Sequence, residues 1–457
     1  MGHARGRKIP AALVEDEDYQ LRHERVAGID VAKAKADVCT RLPPGRPGGR
    51  RRSRTEEFPA TVAGVQDLAG RLLADGVQLV SMESTSDYWR LWFFVLEAAG
   101  LNVQLVSSSQ ARQLAGRPKT DRADAQWIAR LTEMGLLRPC FVPPAEVREL
   151  RDWARARLHL VQDRTREWQR LEKLLEGALV KVSSVVSALA GNKTARAIVE
   201  GLIAGERDPQ NLAALALGSL RGKRGELAAA LQGAAFGPHH ARLARVHLDR
   251  IDAMDRHVAM LDDEIAACLD AIPAAQGVTA AGDRSPDPGQ DAVALPAAQR
   301  LAEIPGVTVK LAMSIIAETG LDMSRFPTAG HLASWAGLAP SARQSGSLSR
   351  KPAKKQGNAY LRGHCTQAAS GAARTDTFLG ERLRRLSRRS GGARARCAVA
   401  RSILVIVWHL LNDPAARYTD LGPGWHQKKT DRDKKIRGHL RQLQALGLQV
   451  TVTDTAA

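Results

Sequence analysis

RPKTDRADAQWIARL, residues 117–131, sets two aspartates three positions apart at the start of a predicted helix. Positions i and i+3 share a helical face, so Asp121 and Asp124 can present both carboxylates to one spot. Thr120 stands where an N-cap is needed, its hydroxyl oxygen able to accept from an orphan amide. Ile128 and Leu131 continue an apolar stripe behind the acids, and Lys119 and Arg122 flank them with positive charge. An acidic pair in a basic setting suits a divalent cation facing a phosphate backbone. The same pattern also serves as a plain acidic helix start favoured by the helix dipole. The residues upstream have to decide between the two.

Upstream, VAGIDVAK begins at Val26 and has the character of a buried strand carrying one acid, Asp30. KADVCTRL, from Lys35, predicts a second strand after a tight link, and a short third strand is expected near 55–58. Between them, PPGRPGGRRRSR at 43–54 is an exposed basic loop by composition. Val62, Val65, Leu68 and Leu72 have helical spacing. VQLVSMES, from Val77, predicts a strand ending in Glu83; 88–99 a helix; NVQLVS at 102–107 another strand. The order is three strands, helix, strand, helix, strand, helix. That is the order of an α/β ribonuclease-H-like, or RuvC-like, domain. An acid inside an apolar strand is costly unless paired or metal-bound. Carboxylates about 4 Å apart repel by about 4 kcal/mol per pair at an effective dielectric near 20. Convergence of Asp30, Glu83, Asp121 and Asp124 therefore implies Mg²⁺ or Mn²⁺ among them.

The 457 residues carry 67 Lys plus Arg against 48 Asp plus Glu, a balance of +19, and a pI near 10.2. Such a chain is expected to meet a polyanion, and to divide into two or three domains. No apolar run of membrane-spanning length stands out, and MGHARGRKIP runs into EDED at 15–18 without the apolar core of a secretory leader. Nucleic acid in the cytoplasm is the expected setting. Five scattered cysteines with no CxxC pair fit reduced thiols better than a zinc site.

Downstream of the opening stretch, 146–179 is helical and charged, with Leu150, Trp153, Arg157, Val161, Trp168, Leu171 and Leu175 along one stripe. From 240 to 272, Ile251, Met254, Val258, Leu261, Ile265, Cys268 and Ile272 alternate spacings of three and four. This heptad seam predicts either an antiparallel hairpin or an intermolecular coiled coil. Residues 180–240 are Ala-, Gly- and Leu-rich and carry no assignable role. LAEIPGVTVKLAMSIIAETG at 301–320 has the look of a helix-hairpin-helix, whose turn amides can meet phosphate, and equally of a simple helical turn. Over 341–400, fourteen Lys or Arg face two acids, a phosphate-tracking charge density. The expected divisions are a flexible arm (1–24), the RuvC-like domain (25–140), a helical and coiled-coil region (145–272), a linker loop (273–298), a mainly α C-terminal domain (299–420) and a basic extension (421–457).

With these stretches in hand, the sequence resembles the DEDD insertion-sequence transposases of the IS110 family, relatives of the Piv-type DNA invertases. GIDVAK matches the family's first motif and KTDRADA its third; ESTSDYW matches the second, with Ser86 where glycine is usual. IPGV, GLAP, QSG and QGNAYLR match its C-terminal transposase domain. The resemblance implies DNA cutting and rejoining, with Mg²⁺ on the acids and a C-terminal serine that forms a covalent phosphoserine link. By motif match that serine is Ser345, although Ser341, Ser347 and Ser349 lie close in sequence. It also implies donor and target DNA, a non-coding bridge RNA that pairs with both, and a homo-oligomer, dimer or tetramer, with a site composed from two protomers. Arg343, Arg350, Lys351, Lys354, Lys355 and Arg362 are candidate backbone contacts beside Lys119 and Arg122. Two other functions fit the residues: a RuvC-like nuclease using activated water, and a nucleic-acid-binding protein without catalysis.

Overall fold

The computed structural model describes residues 21–46, 49–84, 86–107, 120–276, 295–340 and 357–451, with backbone alone for 344–345, 348–349 and 427–434. The predicted arm up to residue 20 and most of the predicted linker, 277–294, lie outside the described residues. Contacts divide the chain into two units, 1–142 and 143–457.

The first unit holds a five-stranded sheet in the order β3-β2-β1-β4-β5. β1 (Val26–Val31), β2 (Lys35–Leu42) and β3 (Arg52–Pro59) form an antiparallel meander. β4 (Leu79–Glu83) and β5 (Val103–Val106) join β1 and each other in parallel, which requires helical crossovers. Those crossovers are α1 (Val62–Ala74), capped by Thr61, and α2 (Trp89–Ala98). Both bury against one sheet face: Ile29, Val38 and Met82 meet Val65, Leu68, Leu72, Trp92 and Leu96. The opening stretch supplies α3 (Asp121–Glu133), which packs on β1, β2 and β4. This topology is the ribonuclease-H-like fold expected from the element order.

The second unit is helical. α4 (Ala145–Gly177) and α8 (Pro238–Asp270) are each 33 residues long and lie side by side. Their ion pairs run in opposite directions along the two helices: Arg157 with Asp262, Arg164 with Asp255, and Glu167 with His247 and Arg250. The heptad seam is thus filled from within the chain as an antiparallel pair. Leu269 takes the buried place the spacing gave to Cys268, which is only partly buried. Residues 180–237 form α5 (Lys193–Ala204), α6 (Pro209–Ala214) and α7 (Arg224–Leu231), sharing one core with Trp168, Leu171, Leu175 and Leu248 of the long pair.

After the undescribed segment come α9 (Ala297–Ala302) and α10 (Val309–Thr319), then α11 (Ala329–Trp335), α12 (Ala359–Ala372), α13 (Phe378–Ser390), α14 (Gly392–Asn412) and α15 (Trp425–Ala445). The turn between α9 and α10 is pressed onto α12. A Cβ on Gly306, whose φ is +87°, would stand 2.2 Å from the Ala368 carbonyl oxygen. Contrary to the sequence expectation, α14 is long and apolar enough to cross a membrane by length and composition. It packs against α9, α11, α12 and α13, burying Val399, Ile403, Leu404 and Val407.

Candidate active site

In a strand, alternate residues share a face, and directly opposed residues on neighbouring strands share it too. Gly28 marks which face of β1 meets α3. A Cβ there would lie 2.3 Å from the Ala129 nitrogen and 2.5 Å from the Ala125 oxygen, so only glycine admits the helix this close. Asp30, two residues on, is on that face. Directly opposite Asp30 stands Asp37 of β2, and opposite Asp37 stands Glu57 of β3. On the other side, Ile29 is in register with Met82, so the next step along β1 and β4 sets Asp30 beside Glu83. Four carboxylates, Glu57, Asp37, Asp30 and Glu83, therefore form a row across four strands, on the face that α3 covers. Asp121 and Asp124 stand in the first turn of that helix.

Several contacts fix the helix over the row. Thr120 accepts from the Ala123 amide at 3.2 Å, the predicted cap. The Arg122 guanidinium donates to the Thr55 carbonyl at 3.0 Å, and Gln126 to the Thr55 hydroxyl at 3.2 Å. Thr132 and Ser81 share a buried hydrogen bond of 2.7 Å. At the far end, buried Glu133 is paired with Arg41 at 2.8 Å and Arg51 at 3.2 Å. Arg122, a predicted nucleic-acid contact, thus serves to seat the helix.

Glu83 is 4% exposed and Asp37 9%; Asp30 and Asp124 are half-buried and Asp121 is exposed. Burial pushes the Asp37 carboxyl above its ordinary pKa; Lys35 and Arg122 oppose this, and the charges of Glu57 and Asp121 add to it. Lys35 is itself held protonated by its hydrogen bond to Glu57. All these donors are hard oxygens, the set that fits Mg²⁺ or Mn²⁺. Among the described residues no three or more His, Cys, Asp or Glu side chains are already closed around a single metal position. Asp37 and Glu57 were not singled out from sequence. Their signal is register, which pairs them with Asp30 only once the meander is formed.

Ser86, where the family motif has glycine, adopts φ +50°. This left-handed conformation explains why glycine suits the position, just beyond Glu83.

The sequence-predicted serine belongs to the second unit. Gln344–Ser345 pairs with Leu348–Ser349 in a two-stranded hairpin, Ser345 opposite Leu348. The side chain of Ser345 lies outside the described residues, as do Lys119, Arg343, Arg350, Lys351, Lys354 and Lys355. Arg362 is half-buried on α12. The ends of the serine-bearing segment are clamped together. The Asn358 amide donates to the Trp335 carbonyl at 3.0 Å, and a Cβ on Gly357 would meet the Gly337 nitrogen at 2.4 Å. Beneath this clamp is an ion cluster that the sequence did not reveal. Glu318, 1% exposed, accepts from Arg155 at 2.8 and 2.9 Å and from Asn358 at 2.6 Å. Arg151 donates to the Ala317 and Glu318 carbonyls at 3.0 and 2.6 Å. The Arg155 guanidinium covers the Tyr360 ring at 4.3 Å.

Residues 27–180 match a DEDD transposase model of the IS110 type, and residues 298–384 match the model described as Transposase IS116/IS110/IS902 family. Among solved structures, the chain is similar to Thermus thermophilus RuvC at 17% identity and TM-score 0.21, covering 25% of this chain and 99% of that one. It is similar also to T. thermophilus RuvC in complex with a Holliday junction substrate, at 17% identity and TM-score 0.20, covering 26% and 100%. No curated protein matches. The two transposase models fall on the acid-bearing sheet and on the clamp around the serine segment, in chain order and over more than half of the 457 residues, and the chain belongs to the IS110 family of DEDD transposases.

Proposed function

We propose that this transposase cuts and rejoins DNA through a covalent phosphoserine intermediate at Ser345, with Asp30, Glu83, Asp121 and Asp124 holding Mg²⁺ or Mn²⁺. The observation that carries the reading is the register that sets Asp30 beside Glu83 beneath the first turn of α3. Divalent-metal dependence accompanies the DEDD family. When bound, the metal supplies charge neutralisation at the scissile phosphate.

The chain's residues do the rest. The Ser345 hydroxyl oxygen attacks phosphorus, the P–O bond to one sugar oxygen breaks, and the serine proton passes to solvent or a nearby base as that oxygen leaves as a hydroxyl. The phosphodiester is kept as a phosphoserine ester, so rejoining needs no outside energy source. A strand hydroxyl attacks the same phosphorus and returns the proton to Ser345. Asp30, Glu83, Asp121 and Asp124 would hold the metal, and the clamp at Gly337, Gly357 and Asn358 fixes where the serine segment begins and ends. A bridge RNA reading donor and target by base pairing, a homo-oligomeric assembly and a place at the nucleoid complete the proposal. They rest on the family resemblance and on the charge of +19.

The test is adduct trapping. Donor DNA is incubated with protein and divalent metal, with and without the candidate RNA, then denatured and resolved by mass. Wild type is expected to give a protein–DNA adduct that Ser345→Ala and Asp121→Asn both lose. Strand cleavage by Ser345→Ala without adduct would replace the serine step with metal-activated water.

A further inference from the structure

Residues 378–401 contain eight arginines, no lysine and a single acid, Glu381. Two helices present them. Leu379, Leu383 and Leu386 follow one another at i, i+4 and i+7 on the inner side of α13, and Ala395, Val399 and Ile403 at i, i+4 and i+8 on that of α14. Gly391, at φ +80°, reverses the chain between them, so the two helices lie against each other as a hairpin. Arg401 of α14 comes close enough to Arg382 of α13 for their charges to repel, and Arg389 and Arg394 flank the turn, two residues before and three after Gly391.

Arg382 is in an unusual position. Its Nε is shut off from water and has no hydrogen-bond partner among the described residues. Loss of water, followed by the like charges of Arg385 and Arg401, holds its guanidinium below the ordinary pKa, and only Glu381 offsets this. Glu381 itself reaches Arg385 at 3.8 Å. A half-buried cation pressed by two others is costly until an anion joins it. Arginine forks fit phosphate oxygens in a way lysine does not. A ring cluster adjoins the cations: Arg385 lies 3.2 Å from His426, which stacks on Phe378 at 5.0 Å and 26°.

We propose that the α13–α14 hairpin is a binding track for the phosphate backbone of a single nucleic-acid strand. Arg382, Arg385 and Arg401 close on one phosphodiester, and Arg389 and Arg394 face another further along the strand. Seven residues separate Arg382 from Arg389, about 10 Å of helix, a span of about two nucleotides. The Phe378–His426 stack offers an aromatic face to a neighbouring base. The site rests on reading the chain as a nucleic-acid-handling transposase, and names a surface that reading does not.

The experiment measures anisotropy of labelled single strands, DNA and RNA of one sequence, with the full-length protein across a potassium chloride series. Arg385→Gln with Arg401→Gln is compared with Arg384→Gln plus Arg396→Gln, which remove the same charge from other faces of the same helices. The first pair is expected to weaken binding about tenfold. It should also lessen the slope of log affinity on log salt by about 0.7, the loss of one phosphate contact. The control pair should leave the slope unchanged. Loss on both strands assigns the track to the shared backbone, and loss on one names that strand as its occupant. Equal behaviour of the two variants, with wild type binding well, overturns the track and leaves the transposase reading standing. Absence of binding by wild type to either strand would overturn both.

Discussion

Glu318→Gln removes one charge and almost no volume from the cluster beneath the serine segment. The carboxylate is 1% exposed, while the side chains of Arg151 and Arg155 are 12% and 28% exposed. Removing one partner of a buried pair costs about 3–5 kcal/mol, because the other charge is left without compensation. Arg155 keeps some access to water, so the lower end, about 3 kcal/mol, applies. That predicts about a hundredfold faster hydrogen exchange for amides of α12 and the first turns of α4, if those amides exchange by opening of this cluster. By contrast, neutralising Asp376, whose bond to Arg384 is largely exposed, should change little. The effect of Glu318 also has a sign with pH. Burial raises the Glu318 pKa, but Arg155, Arg151 and Asn358 together lower it by more, and the net shift is downward. A depressed carboxyl stabilises the fold above its unfolded pKa of about 4.3 and loses that contribution as pH falls through the folded value. The difference between wild type and Glu318→Gln should therefore be full at neutral pH and shrink below about pH 4. Wild-type exchange rates in Glu318→Gln on both α4 and α12 would refute the claim that this charge joins them. So would a difference that grows on acidification.

Other outcomes follow from the first unit. Gly28→Ala should cost about 2–3 kcal/mol, because α3 must move off the sheet, and should depress metal-dependent cleavage with it. Gly70→Ala, in α1 with nothing within 4 Å, should instead stabilise by about 0.5–1 kcal/mol; urea unfolding of each checks both. Ser86→Gly relieves a left-handed backbone costing about 1–2 kcal/mol but frees the unfolded chain by about 0.4–1 kcal/mol, so a small net gain in melting temperature is expected. Asp37→Asn should raise stability at neutral pH in chelator. A carboxyl with a raised folded pKa costs stability above that pKa, and the gain should vanish in acid, where Asp37 is protonated in both states.

What the sequence disclosed was local, and what it hid was pairing. The strands at 26–42 and 79–83, the Thr120 cap and the helix behind Asp121 and Asp124 each carry their own signal in spacing and residue type. Asp37 does not. In KADVCTRL it has the look of an ordinary polar position of an alternating strand, and becomes part of the acid row only because Asp30 lands opposite it. Glu318 likewise sits in an apolar helix end, AETG, and its partner Arg155 is 163 residues away. The heptad seam was legible as a seam but not in its choice of partner. The opposed sequence of ion pairs from Arg157–Asp262 to Glu167–His247 settles that choice within the chain.

The approach of α3 to the acid row depends on small residues more than on the acids themselves. Asp121 and Asp124 reach the strand face only if α3 can descend onto β1, and that descent is permitted at Gly28, Ala125, Ala129 and Cys39, which form their own packed cluster. Larger side chains there would lift the first turn of α3 away from Asp30 and Glu83 while leaving all four carboxylates in the sequence. A chain with an intact DEDD signature but bulk at position 28 or 129 should thus fold its sheet and still cleave poorly. The motif GIDVAK carries its glycine two residues before the aspartate for this reason: the first residue admits the helix, and the second meets what the helix brings.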